Sequence, residues 1–406
     1  MFDRLPLELL TLICDLGAQE CNWKLQDYVA FRALCLSGCR SRVPDRLALD
    51  VVEYACLNDR LDLIKDLPFD HTLETPWSDL MFQIYRWIIS SSDSAALLIH
   101  FLDDPRIAVS QTSFRKIIEL ACEYGRLGIV KSLSQDPRSE DSFCSNVPFQ
   151  IACRQGHLDV VIFLLQDHRT DPSKQSSFAF RIACEKGHDR VVARLLLDSR
   201  VDPEAYEHYS LHVACFRGHL KVVEELLKDA RICPSAQNNI AISSAAKSGS
   251  ADLVRFLLSH DRVNPCDRNN EALRFAAKYG YFEIVKILLQ DPRIDPSVSK
   301  DAALQEAVTN GHIEIVSFFI SEFSFPRFTL FCAFHKAVRY EHLDIVKVLL
   351  RAPRASKYID DECLMDCIYL SKSKEDLDLF EGLMAKYAKR ERLQKERESA
   401  RKRIKV

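Results

Sequence analysis

Seven glycines recur at one interval: Gly125, Gly156, Gly187, Gly218, Gly249, Gly280 and Gly311 are spaced 31 residues apart. Five prolines, Pro172, Pro203, Pro234, Pro265 and Pro296, keep the same step. A fixed period of this length marks an array of small units, none of which can bury its apolar face alone and all of which stack on their neighbours. The 406 residues would otherwise suggest about two to three domains at roughly 150 residues each. Glycine argues against that division, because only 11 are present and most are used at one repeated position.

The text around each glycine also repeats, as in IACRQGHLDVVIFLL from Ile151, IACEKGHDRVVARLL from Ile182, VACFRGHLKVVEELL from Val213 and FAAKYGYFEIVKILL from Phe275. A small pair such as Ala152-Cys153 or Ala276-Ala277 lets two helices approach closely. The glycine supplies the positive φ that ends the first helix, and the apolar spacing after it makes an amphipathic second helix. For the unit ending at Leu227 the buried face is expected to be Leu220, Val223, Leu226 and Leu227. A polar stretch follows, as in Asp198 to Pro203, where the Asp-Pro step is expected to end the helix and turn the chain. Each unit is therefore read as helix, tight turn, helix, extended loop.

The segment Ser210 to Leu227, SLHVACFRGHLKVVEELL, resembles the ankyrin repeat pattern T-P-L-H-x-A, GH, VV, LL. The resemblance implies an all-α solenoid of helix-turn-helix units with short hairpin-like loops, each unit shorter than the family's usual ~33 residues. Weaker units carry the array over residues 47–384, about eleven in all. The family resemblance further implies protein binding on a concave face that includes the two residues before each turn glycine. On this basis Tyr124, Arg154, Lys186, Phe216, Arg217, Lys278, Tyr279, Arg339 and Tyr340 are the candidate partner-binding residues. Aromatics beside arginines are the usual anchors of protein interfaces. A merely solvated ridge is the alternative.

Residues 1–46 do not repeat. Leu5-Pro6-Leu7-Glu8-Leu9-Leu10, followed by Ile13 and Leu16, starts a helix at a proline. With a second amphipathic segment, Tyr28 to Arg40, it resembles an F-box. That resemblance implies docking onto a Skp-family adaptor of cullin–RING ubiquitin ligases through Leu5, Pro6, Leu9, Ile13 and Leu16. A helical cap over the first unit is the alternative.

Residues 385–406 hold ten basic side chains against Glu391, Glu396 and Glu398, in a chain whose formal net charge is −3. Lys389, Arg390, Arg401, Lys402, Arg403 and Lys405 are similar to a bipartite nuclear import signal. The alternative is a solvated basic helix with weak nucleic-acid affinity. The body of the chain gives no charge-based reason for a polyanion partner.

Candidate chemistry is sparse. Cys153 and His157, Cys184 and His188, and Cys215 and His219 have a metal-capable Cys-x₃-His spacing, but their recurrence with the repeat makes them core cysteines and structural histidines. No phosphate-binding loop, dinucleotide fingerprint or nucleophile elbow is present in the sequence. The 15 cysteines are expected to be free thiols of an intracellular protein. No apolar run approaches the ~18 residues of a membrane span. The expectation is therefore a monomeric, non-enzymatic adaptor without metal or cofactor. It would be cytoplasmic or nuclear, with a protein bound on its array and a ligase adaptor at its N-terminus. A stand-alone scaffold or inhibitor with no ligase link is the alternative.

Overall fold

The computed structural model describes residues 109–294 and 296–351, together with scattered positions within 82–103 and 367–385. The chain divides into two compact units, Met1–Pro203 and Glu204–Val406. In the first, the helices Gln111–Glu123, Val147–Gln155 and Lys174–Lys186 are each followed by a shorter partner, Leu127–Ser134, Leu158–Gln166 and Asp189–Leu196. In the second, the leading helices are Ala205–Arg217, Ala236–Ser248, Asp267–Tyr279, Pro296–Thr309 and Arg327–Arg339. Their partners are Leu220–Leu227, Ala251–Leu258, Phe282–Gln290, Ile313–Glu322 and Leu343–Arg351. Within each unit, leading helices pack on neighbouring leading helices, and no strand occurs among the described residues.

The tight turn forms as the sequence predicts. At Gly156 the backbone adopts φ 79°, and the N–H groups of Gly156 and His157 reach back to the Ala152 carbonyl at 3.0 and 3.1 Å. These bonds satisfy helix-end carbonyls that would otherwise be orphaned. An alanine sits beneath the turn because larger side chains would hold neighbouring helices apart: Ala152, Ala183, Ala214, Ala245, Ala276 and Ala307 are all fully buried.

The buried face of the second helix differs from the expectation at three positions. In Leu220–Leu227 the buried residues are Val222, Val223 and Leu226, whereas Leu220 and Leu227 are half-buried at its ends. The helix is barely two turns long, so its most apolar residues can lie at its rims while the adjacent valines face inward. Each such side chain contributes roughly 1.5–3 kcal/mol when fully buried.

The loop differs more. The helix Asp189–Leu196 ends before Asp198, so the Asp-Pro step does not terminate it, and the nominally polar stretch buries Val201 and Pro203. Asp198 accepts from the Arg200 backbone N–H at 3.0 Å and from its guanidinium at 2.7 Å. The same guanidinium donates to the carbonyls of Leu165 and Thr170 in the preceding repeat, at 3.2 and 3.3 Å. This Asp-x-Arg staple recurs at Asp136 and Arg138, Asp167 and Arg169, and Asp291 and Arg293.

After Pro172, Pro203, Pro234 and Pro265 the chain makes one left-handed turn through three consecutive residues. Gln175 to Ser177, Gln237 to Asn239 and Arg268 to Asn270 all have φ between 51° and 59°. Serine and asparagine tolerate this region because their short polar side chains bond locally. At Ser177 and Asn239 the last residue of the turn also reaches forward one repeat. Ser177 Oγ accepts from the Asp202 N–H at 2.9 Å, and Asn239 Oδ1 accepts from the Asn264 N–H at 2.8 Å. Asn146, alone in this conformation at φ 66°, makes the equivalent bond to Asp171 at 3.2 Å.

Candidate functional site

The polar groups conserved by the period are committed to joining repeats. His157 Nε2 lies 2.7 Å from the Glu123 carbonyl, His188 Nε2 lies 2.7 Å from that of Arg154, and His312 Nε2 lies 2.8 Å from that of Lys278. Each imidazole covers the glycine one repeat earlier, so a Cβ added to Gly280 would stand 2.6 Å from His312. The accompanying cysteines, Cys153, Cys184 and Cys215, are fully buried. Burial pushes the Cys153 and Cys215 thiols far above their ordinary range, which holds them in the neutral form. The pairs Cys153/His157 and Cys184/His188 are thus divided between the core and the inter-repeat bond. No group of three or more His, Cys, Asp or Glu arranged for a metal occurs among the described residues.

What the period leaves variable is the exposed edge of the leading helices. In the first compact unit, Arg154 and Lys186 are exposed and Tyr124 is half-buried, with its hydroxyl engaged by Arg86. In the second, Phe216, Arg217, Tyr279, Arg339 and Tyr340 are exposed, and Lys278 is half-buried. Several of these side chains meet. The Lys247 ammonium lies 5.1 Å from the Phe216 ring centroid and 5.5 Å from that of Phe275, bridging three successive repeats. Arg217 covers the other end of this patch, 5.9 Å from the Phe216 ring, and Lys278 lies 5.9 Å from the Tyr279 ring. Tyr209, His212 and Phe216 continue along one helix at centroid separations of 6.1 and 6.5 Å. Tyr279 joins Phe275 and Tyr281, each at 6.2 Å. The result is a ridge of aromatic rings with cations seated on their faces, each such contact worth about 0.5–1 kcal/mol where exposed.

Lys247, Phe275, His212 and Tyr209 were not among the nine candidates. Their signal was available, since Lys247 occupies the position of Phe216 one repeat later. Arg339 and Tyr340 stand at the end of a separate leading helix, where Tyr340 stacks on His342 at 6.4 Å. The proposed docking residues Leu5, Pro6, Leu9, Ile13 and Leu16 lie outside the described residues. So do Lys389, Arg390, Arg401, Lys402, Arg403 and Lys405.

A family model, Ankyrin repeats (3 copies), matches the chain over residues 118–207, 150–238 and 211–300. Residues 118–300 are ankyrin repeats. The fold is accordingly an all-α ankyrin solenoid, and the ankyrin repeats mark a protein–protein interaction module. The matched span includes the Phe216, Lys247, Phe275 and Tyr279 part of the ridge but neither the F-box-like segment nor the basic tail. No curated protein matches the chain. No helix among the described residues is long and apolar enough to cross a membrane.

Proposed function

We propose that this protein is a non-enzymatic adaptor whose ankyrin ridge holds a protein partner, with Leu5, Pro6, Leu9, Ile13 and Leu16 docking a Skp-family adaptor of a ubiquitin ligase. The observation that carries the partner-binding half is the exposed aromatic ridge around Lys247. The repeat-defining polar groups are occupied in joining neighbours, which leaves this variable edge as the surface available for recognition. The ligase half rests on the F-box-like sequence alone. The tail residues Lys389, Arg390, Arg401, Lys402, Arg403 and Lys405 would give the chain a nuclear as well as a cytoplasmic address.

The ligase link is tested by pull-down of a purified Skp-family adaptor. Wild-type chain is expected to retain it, and Leu5→Ala with Leu9→Ala to release it while the helical circular-dichroism signal is unchanged. Failure of the wild-type chain to bind would reduce residues 1–46 to a cap and leave a stand-alone scaffold. The partner site is tested separately by placing a photocrosslinking residue at Phe216 or at Tyr279 in cells. Crosslinks to one protein at both positions are expected, and their absence would remove the ridge from the proposal.

A further inference from the structure

The leading helices of the second compact unit present residues of one charge sign before their turns. Phe216-Arg217, Lys247-Ser248, Lys278-Tyr279, Thr309-Asn310 and Arg339-Tyr340 include four cations and no carboxylate. In the first compact unit the same positions are mixed: Glu123-Tyr124, Arg154-Gln155 and Glu185-Lys186. One helical turn earlier in the second unit, His212, Ser243, Arg274, Gln305 and His335 again bring no acid. Carboxylates close by in register include Glu271, which pairs with Arg268 at 3.5 Å, Glu306, which replaces Phe275 one repeat on, Glu207, which accepts from Gln237 Nε2 at 3.0 Å, and the exposed Glu341 beside Tyr340.

The cations at the centre are placed on rings. Lys247 lies over Phe216 and Phe275, and Lys278 over Tyr279. An ammonium seated on apolar rings is partly stripped of water, so an approaching carboxylate interacts with it more strongly than with a freely hydrated lysine. The field is visible at a neighbour. Burial first, and then the charges of Arg268 and Lys247, hold the His212 imidazole below its ordinary range. The exposed rings of Phe216 and Tyr279 give such a partner apolar anchoring beside the charge.

We infer that the ridge formed by Phe216, Lys247, Phe275, Lys278 and Tyr279 takes an acidic protein segment, one in which carboxylates alternate with apolar or aromatic side chains. This rests on the ridge being the partner site proposed above and names the chemistry of what it binds. A nucleic acid is disfavoured because the ridge alternates cations with rings and neutral residues and has no continuous phosphate track.

The test is selection of a phage-displayed library of random 12-mer peptides against the full chain. The wild-type chain is expected to enrich acid-rich peptides carrying apolar residues. Their affinity, measured by fluorescence anisotropy, should fall at least tenfold in Lys247→Glu/Lys278→Glu. The milder Lys247→Gln/Lys278→Gln should lose affinity to a lesser degree and guards against misfolding of the charge-reversed chain, with thermal melts run on both. Enrichment without acidic bias, or affinity within twofold of wild type in both variants, would overturn the inference. So would displacement of the selected peptides by a single-stranded oligonucleotide at lower concentration than by the free peptide. Peptides without acidic bias that are lost in Phe216→Ala/Tyr279→Ala would refute the acidic preference but keep the ridge as a partner site. Peptides of any kind that still bind that variant would overturn both.

Discussion

Arg293 Nη2 donates to the Leu258 carbonyl at 2.8 Å while bonding the Asp291 carboxylate at 2.7 Å, so one guanidinium fixes its own loop and ties it to the repeat before. The Asp291 carboxylate is only 9% exposed, and the arginine is what makes that burial tolerable. Arg293→Met should therefore leave the nearly buried carboxylate without its guanidinium partner and the Leu258 and Val263 carbonyls without their donor, at a cost of about 1–3 kcal/mol. Urea denaturation measures this, and a midpoint equal to that of wild type would show that the staple does not contribute.

The same staples set an acid limit. Arginine hydrogen bonds hold Asp136, Asp167, Asp198, Asp229 and Asp291 below the usual carboxylate range. In the unfolded chain an aspartate titrates near pH ~3.9, so between that value and the lower folded one the unfolded state binds more protons. Their stabilisation is complete above the unfolded value and is lost as pH falls through the folded one. The urea midpoint should begin to drop as pH falls below about 5 and continue downward through the folded value. Asp167→Asn/Asp291→Asn should flatten that drop, and a parallel pH profile would place the acid sensitivity elsewhere.

Two glycines separate backbone strain from crowding. Both Gly218, at φ 76°, and Gly280, at φ 81°, are in the left-handed region. An added Cβ at Gly218 would make ordinary contacts with Ser248 and Ser250, none nearer than 3.4 Å, whereas at Gly280 it would collide with His312, 2.6 Å away. Gly218→Ala should cost about 1 kcal/mol through φ alone. Gly280→Ala should cost more, because His312 must leave the Lys278 carbonyl. Thermal melts giving equal losses would refute the distinction.

Thiol reactivity should follow burial. Cys144 is exposed, whereas Cys122, Cys153, Cys184 and Cys215 are fully buried. In native protein, brief alkylation followed by peptide mapping should label Cys144 well before the buried four. Early labelling of Cys153 would mean that its helix is not packed as described.

The second-helix core should be valine-led. Val222→Ala is expected to cost about 2 kcal/mol and Leu220→Ala less, the reverse of what side-chain size suggests. Urea midpoints of the two variants decide it.

The turns were legible in the sequence because backbone geometry restricts residue type there. A positive φ calls for Gly156 and its equivalents, and the close approach beneath it calls for Ala152. The loops were harder to read. Polar residues are taken to face water, yet Asp198 and Arg200 are used to clasp carbonyls while Val201 between them and the proline is buried. The pairs Asp136/Arg138, Asp167/Arg169, Asp198/Arg200, Asp229/Arg231 and Asp291/Arg293 kept the period and could have revealed this. The assignment of Leu220 to the core failed because two turns of helix supply too few residues for periodicity to fix the inward direction. Lys247 falls on the face the sequence predicts, two residues before Gly249, but its weight within that face depends on Phe216, 31 positions earlier, and Phe275, 28 later.

The reach of the turn histidines ties the length of this protein to whole repeats. His157, His188 and His312 each bond a carbonyl 34 positions back, at 2.7 to 2.8 Å. His342 follows a repeat one residue shorter, reaches back 33, and its separation from the Thr309 carbonyl is 3.3 Å. Staples, left-handed turns and imidazoles all work across a single period, so duplication or excision of a complete block would rejoin matching partners. An insertion of one or two residues inside a helix would break several of these links together. A lineage built this way can grow or shrink in steps of one block while the ridge changes residue by residue, and recognition can diverge without the scaffold having to be remade.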